Sequence, residues 1–252
     1  MIQPILQWKL EARHLGCRVL VYDSLPSTNN HAATQPDGTI VLAREQTAGR
    51  GQFGRMWHSP PGGVWMSVVF TPPGHLRRPV ILTAWAAVSV AETVQSLVNR
   101  QATIKWPNDI LVGGKKLCGV LIEQGQRTVA GIGLNVNQSA SDFIAGELPD
   151  ATSLSSIADT PFSTDDVARS LIQRLDEEYD RILRADITSL ERRWRDHLGL
   201  VNQRVQLELV NGETYHGVLA EQTFACIHVT SNGSDQTCRP EEVRHLTLSG
   251  GA

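Results

Sequence analysis

Apolar and polar positions change period several times along the chain, and those changes mark out its elements. Residues 5–15 read as a short amphipathic helix ended near Gly16. Residues 18–22 then form a strand, and Asp23-Ser24-Leu25-Pro26 a turn. Ser27-Thr28-Asn29-Asn30 opens a helix with a hydroxyl available as N-cap. Strands follow at residues 39–44 and 63–70, the second apolar throughout and so buried on both faces. Pro79–Val98 is a long helix dominated by Ala, Val and Leu. Two strands, 103–106 and 109–112, are broken by Pro107-Asn108, and Gly113-Gly114 turns the chain into a hairpin strand at 115–123. Residues 129–136 form a further strand, whose Gly131 and Gly133 leave room against one face.

Beyond it the pattern changes character. Residues 138–162, rich in Ser, Asp and Pro, read as loop. Thr164-Asp165-Asp166 starts a helix running to about residue 184, and residues 189–198 form another with alternating charge on its outer face. Residues 203–248 carry four short β-rich stretches, separated by the tight-turn signals Asn211-Gly212 and Asn232-Gly233. The reading is an α+β protein of two units: residues 1–199, and residues 200–252 as a small SH3-like β-barrel.

Composition narrows the classes. The chain has 252 residues, enough for a full core, and a net charge of −3 that offers no bulk attraction to nucleic acid or an anionic membrane. No apolar run reads as reaching the roughly 20 residues that span a bilayer. The start, Met1-Ile2-Gln3-Pro4, lacks the basic and apolar regions of a signal peptide. Cys17, Cys118, Cys226 and Cys238 are scattered without a C-x-x-C, as expected of reduced thiols in a cytoplasm. The histidines show no metal-ligand spacing.

The densest chemistry lies at residues 44–59, which include Gly49-Arg50-Gly51-Gln52-Phe53-Gly54-Arg55-Met56-Trp57. Glycine-rich backbone exposes amides that cradle anions, and arginine adds a planar fork that fits carboxylate or phosphate. The run also spells G-x-G-x-x-G, but a dinucleotide site needs a helix opening on the motif and an acid about 20 residues on. Here His58-Ser59-Pro60-Pro61-Gly62-Gly63 follows, which cannot open a helix, so that reading fails.

A second cluster is Lys105-Trp106-Pro107-Asn108-Asp109 with Lys116-Leu117-Cys118-Gly119. Lysine is scarce: Lys9, Lys105, Lys115 and Lys116 are the four among 23 basic residues. The hairpin brings Asp109 and Lys116 onto neighbouring strands. Lys116 supplies a compact positive charge for an oxygen that gains charge in a transition state, and Asp109 is a candidate base. Taken singly, a hairpin lysine is a solvated charge and Asp109 a turn residue. The third cluster, Gly131-Ile132-Gly133-Leu134-Asn135-Val136-Asn137, puts an asparagine at a strand end, where its amide suits the edge of adenine or merely ends the strand.

Together, Ser27-Thr28-Asn29, the glycine–arginine loop with Gln46 and Trp57, Lys105 to Asp109, Lys116 to Gly119 and Gly131 to Asn135 resemble the biotin protein ligase (biotin–[acetyl-CoA-carboxylase] ligase) family, from about residue 20 to 137. The resemblance implies a mixed-sheet catalytic core flanked by helices, as in class II synthetases. It implies activation of biotin by MgATP to biotinyl-5′-AMP, then acyl transfer to a lysine of a biotin carboxyl carrier domain. On that pattern Ser27, Thr28 and Gln46 bind the ureido ring. Asn29, Gly49, Arg50, Gly51, Gln52, Gly119 and Gly133 complete the biotin site, with Arg50 and the amides of Gly49 and Gly51 at the carboxylate and phosphate. Lys116 holds the carboxylate and the α-phosphate, and Arg55 the outer phosphates. Trp57 and Asn135 lie near adenine, and Asp109 receives the acceptor lysine's proton. Catalytic roles thus fall to Lys116, Arg50 and Asp109, and Mg2+ comes with ATP.

The residue types suit a site that excludes water from a labile acyl adenylate, with Phe53 and Trp57 as the apolar residues of a lid formed by residues 47–58. Two departures stand out. Gln52 replaces a third loop arginine common in the family, which predicts faster loss of the adenylate. Pro240-Glu241-Glu242-Val243-Arg244-His245 replaces the usual glycine–arginine pattern near the C-terminus. Two alternatives stay open, a lipoate–protein ligase and a non-catalytic biotin-binding regulator. The latter is disfavoured because the stretch before the first core strand is too short for a helix-turn-helix. A homodimer is compatible with the resemblance, and no DNA or membrane partner is expected.

Overall fold

The computed structural model of the protein describes residues 2–231, 233 and 235–250. An eight-stranded sheet runs in the order β1-β2-β3-β4-β8-β7-β6-β5. Its strands are β1 (Leu6–Trp8), β2 (Arg18–Leu25), β3 (Thr39–Gln46), β4 (Val64–Phe70), β5 (Ala102–Lys105), β6 (Asp109–Val112), β7 (Lys115–Gln124) and β8 (Thr128–Leu134). Strands β2 and β3 pair parallel and the other neighbours antiparallel, so the sheet is mixed. The parallel pair needs a crossover, supplied by the short helix α1 (Thr28–Ala32).

Period-two alternation divides the sheet into two faces. Val21, Leu42, Met66, Val120 and Ile132 face a core closed by α2 (Pro79–Val98), α5 (Thr164–Leu183) and α6 (Ile187–Leu198). Leu20, Tyr22, Val41, Ala43, Val69 and Val129 face the other way, over Ala32 of α1. Strand β4 is buried at every position because both faces are covered. Arg193 ties the three long helices together, pairing with Glu178 at 2.5 Å and Glu92 at 2.9 Å. Asp176 accepts the backbone N–H groups of Arg13, His14 and Leu15, which docks the N-terminal segment on α5.

The structure departs from the sequence expectations in five places, the first at residues 23–25, read as a turn, where β2 instead continues to Leu25 because β3 runs on beside it to Gln46. Residues 5–15 are not a helix: Leu6–Trp8 pairs antiparallel with Val19–Val21, because the open edge of β2 offers backbone partners that outweigh a short helix's weak propensity. Residues 138–162 contain α3 (Ala140–Ala145) and α4 (Leu154–Ala158), each opened by a serine cap, Ser139 and Ser153. Helix α2 reaches membrane-spanning length and composition, yet 72% of its apolar window is buried inside the fold, as befits a central core helix.

The C-terminal unit has five strands rather than four: β9 (Arg204–Leu209), β10 (Thr214–Gln222), β11 (Ile227–Thr230), β12 (Gln236–Cys238) and β13 (Val243–Leu248). Their order, β12-β11-β10-β9-β13, places sequence neighbours at opposite edges. The short link through Pro240–Glu242 makes the sheet curl in an SH3-like way, but no ladder joins β12 to β13, so the barrel stays open. Of the turn signals there, Gly212 adopts a positive φ of 91°, whereas Asn232 lies outside the described residues. Trp106 Nε1 donates to the Val243 carbonyl and Arg78 pairs with Glu241, fastening the unit to the larger sheet.

Candidate active site

A cavity of about 400 Å³ opens on the α1 side of the large sheet. Ser27, Thr28, Asn29, Gln46, Arg50, Gly51, Gln52, Arg55, Trp57, Asp109, Lys116, Gly119, Gly133 and Asn135 all line it, so of the predicted site residues only Gly49 stands apart from its wall. Gly49 is needed for close approach: a Cβ there would lie 2.5 Å from the Trp57 carbonyl and 2.7 Å from Ser59 Oγ.

At the inner end, α1 begins where the sequence predicted, with Ser27 Oγ capping the Asn30 N–H. Gln46, the last residue of β3, accepts from both the N–H and the hydroxyl of Thr28, at 2.8 and 3.0 Å, and its Nε2 donates to Ser59 Oγ. Ser67, fully buried in β4, stands between Thr28 Oγ1 at 2.7 Å and Asn29 Oδ1 at 2.5 Å. This yields a rigid row of donors and acceptors, the kind of surface that reads a small planar polar group.

The floor is made of glycines on β7 and β8. A Cβ on Gly133 would lie 2.2 Å from Trp57 Nε1, and one on Gly119 2.9 Å from the same indole. Trp57 therefore lies flat on the sheet, and among the described residues its buried Nε1 has no partner. A Cβ on Gly131 would lie 2.3 Å from Asn29 Oδ1, so that glycine makes room for the Asn29 amide.

Lys116 reaches the cavity through a register shift. Strict alternation along β7 would place it on the helix-covered face with the buried Cys118 and Val120. Ile110 pairs with Cys118 but Leu111 pairs with Lys116, so Leu117 is an extra residue, a β-bulge that returns Lys116 to the face of Gly119. The lysine ammonium then sits 2.8 Å from Asp109 Oδ1 and 4.9 Å from the centre of the Trp57 ring. The Gly113-Gly114 turn that permits the hairpin has positive φ at both residues, 58° and 78°. On the helix-covered face behind the pair, burial and then the nearby Asp109 push the Cys118 thiol far above its ordinary range, so it stays protonated and inert.

The glycine–arginine loop is itself a hairpin, closed by bridges between Gln46 and Ser59 and between Arg50 and Met56. Gly51 donates its N–H to the Arg55 carbonyl at 2.7 Å, so in this conformation that amide is taken rather than offered to an anion. Arg50 pairs with Glu123 at 3.0 Å and donates to Asn30 Oδ1 at 2.6 Å. Phe53, expected as part of a lid, instead sits at the loop tip, 64% exposed, with Arg244 of the C-terminal sheet 5.6 Å over its ring. Met56 and Trp57 line the cavity in its place. Asn135, just past β8, donates to the Thr152 carbonyl at 3.0 Å, and its backbone joins Leu117 to Leu154.

Several residues of the wall, and two that support it, escaped the sequence reading. Gln138, Asp142, Phe143, Gly146 and Leu148, from α3 and its flanks, also line the cavity, in a segment that reads as loop. Ser67 was detectable as the one hydroxyl within the apolar strand Val64–Phe70. Glu123 carried no local signal.

Comparison with known proteins bears on this geometry. The model of the biotin/lipoate A/B protein ligase family matches residues 21–138. The chain is 34% identical over 226 residues to the bifunctional ligase/repressor BirA of Bacillus subtilis, covering 83% of this chain and 68% of that one. It is 30% identical over 206 residues to the biotin–[acetyl-CoA-carboxylase] ligase of Mycobacterium tuberculosis, covering 77% and 74%. In fold it resembles the Aquifex aeolicus biotin protein ligase solved with biotin and ATP, at a TM-score of 0.81 and 24% identity over 92% of this chain and 99% of that one. With its glycine loop, lysine hairpin and mixed sheet, the chain belongs to the biotin/lipoate A/B protein ligase family, among the biotin–protein ligases.

Proposed function

We infer that the protein is an ATP-dependent biotin–protein ligase. It joins biotin to AMP with release of pyrophosphate, then passes the biotinyl group to a lysine amine with release of AMP. The observation that supports the reading most is that one cavity is lined by the Lys116–Asp109 pair together with two unlike sets of groups. One set is the polar row of Ser27, Thr28 and Gln46; the other is Trp57 and Asn135 with Arg50 and Arg55 of the loop.

In the first step the biotin carboxylate attacks the α-phosphorus of ATP. Two anions must approach, and Lys116 and Arg50 offset their charge while the cavity excludes water. Arg55, exposed at the cavity mouth, meets the outer phosphates, and Mg2+ enters as part of MgATP. Trp57 and Asn135, both in the cavity wall, lie beside the nucleotide. In the second step the acceptor amine attacks the acyl carbon and Asp109 takes its proton. No covalent enzyme intermediate is involved.

The acceptor is a biotin carboxyl carrier domain, and residues 1–199 and 200–252 act as the ligase and accessory domains. The four cysteines are free thiols, as a reducing cytoplasm allows. The repressor half of the Bacillus relative's name is not carried over. The test is a mass spectrum of a carrier domain after incubation with the protein, MgATP and biotin, beside Lys116→Ala. One biotin added by the wild type and none by the variant is the expected result. Addition by both displaces Lys116 from its role, and acceptance of lipoate alone overturns the substrate.

A further inference from the structure

We propose that Glu123 is a positioning residue that latches the glycine–arginine loop to the sheet and presents Arg50 to the anionic end of the substrate, an assignment that rests on the biotin-ligase reading. Glu123 lies near the end of β7, two residues beyond Leu121 and four beyond Gly119, and so shares their face of the sheet. Its Oε1 accepts from Arg50 Nη2 at 3.0 Å, and its Oε2 from Asn29 Nδ2 at 2.7 Å. The carboxylate thus joins the start of α1 to the start of the loop.

That junction is one end of a continuous hydrogen-bonded path. Asn29 meets Ser67, Ser67 meets Thr28, Thr28 donates to Gln46, Gln46 donates to Ser59, and Ser59 donates to the Trp57 carbonyl. The path leaves the loop at Arg50 and returns to it at Trp57. Both ends of the loop are therefore tied to the same polar row, Arg50 through a charged pair and Trp57 through neutral bonds. The row is buried, with Asn29 and Ser67 both inside, whereas the Arg50–Glu123 pair is partly exposed. Its strength lies in the neutral members that fix the acid from behind, since an exposed pair alone contributes little. A guanidinium held this way keeps donors free for a ligand anion and loses less freedom on binding.

The test is limited proteolysis with chymotrypsin of the ligand-free chain, read at Phe53, which is exposed at the loop tip. Wild type, Glu123→Gln, Arg50→Met and the double variant are compared, each with a thermal melt. Cutting at Phe53 should quicken roughly fivefold in Glu123→Gln, as loss of a pair of this kind allows, with no further gain in the double variant. In steady-state assays the KM for biotin should rise roughly tenfold while kcat falls less than about threefold, the signature of lost positioning rather than lost chemistry. Unchanged cutting in Glu123→Gln, or effects of the two substitutions that simply add, overturns the proposal. Should Glu123→Gln melt early, Arg50→Met breaks the same pair from the loop side and carries the proteolysis test. Because cutting is read without ligand, failure of the latch is distinct from failure of the biotin reading, which would show as no biotin turnover by the wild type.

Discussion

Replacing Gly131 by alanine tests how tightly the inner end of the site is built. The new Cβ would lie 2.3 Å from Asn29 Oδ1 and 2.9 Å from both Cγ and Nδ2 of the same side chain. Asn29 cannot retreat and keep its bonds, because Ser67 holds its oxygen at 2.5 Å and Glu123 its nitrogen at 2.7 Å. The side chain must therefore swing away, breaking one neutral hydrogen bond of about 1 kcal/mol and one to a charged acceptor of about 1.5–3 kcal/mol. Gly131→Ala should lose roughly 3 kcal/mol, which for a chain of this size lowers the melting temperature by about 6–12 °C. Scanning calorimetry measures this directly. The internal control is Asn29→Ala, which gives up the same bonds but clears the space. Adding Gly131→Ala to it should cost less than about 1 kcal/mol further, because the clashing atoms are gone. A Gly131→Ala protein melting within about a degree of wild type, or full additivity of the two substitutions, would refute the steric argument.

Three further outcomes follow from other parts of the structure. Arg193→Met leaves the fully buried Glu178 with Arg181 alone, 3.0 Å away, and denaturant titration should find about 1.5–3 kcal/mol lost, with Glu178→Gln in the same background restoring part of it. The Asp180 carboxyl is held below the usual carboxylate range by its bond to His14, with Arg13 and Arg184 adding to it. Its contribution is thus complete above the unfolded value of about 4 and is lost as pH falls through the lower folded value. Unfolding followed from pH 6 down to 2 should accordingly flatten in Asp180→Asn, and parallel curves would contradict this. Gln52→Arg restores the missing loop charge, and release of biotinyl-AMP, followed by rapid filtration, should slow several-fold, about 1 kcal/mol of added retention; an unchanged rate would separate position 52 from adenylate retention.

Much of the scaffold was legible because its causes are local. The bounds of α2 were readable from composition and from Pro79 at its start, which suits the first turn of a helix. The Gly113-Gly114 turn announced a hairpin because two successive positive φ angles are open to glycine at little steric cost. Ser27 as N-cap followed from hydroxyl chemistry alone. The glycine–arginine loop and the lysine hairpin could be recognised as chemistry because their residue types are costly to keep where nothing binds.

What the sequence by itself determined, then, was most of the elements and most of the chemical groups of the site, since period, capping and turn chemistry act within a few residues of chain. Tertiary structure alone decided which groups meet. Leu117 bulges out of register because β6 pairs with β7 in that frame, and only this shift turns Lys116 toward Gly119 and Asp109. Residues 6–8 became a strand because β2, distant in sequence, left an edge open. Glu123 acquired its partners from α1 and from the loop, 94 and 73 positions away, and no local pattern encodes that meeting. The two glycines that Asn29 and Trp57 require, Gly131 and Gly133, read only as gaps in a strand until those side chains are in place. Side-chain contact across such separations depends on sheet register and packing, which are properties of the whole fold.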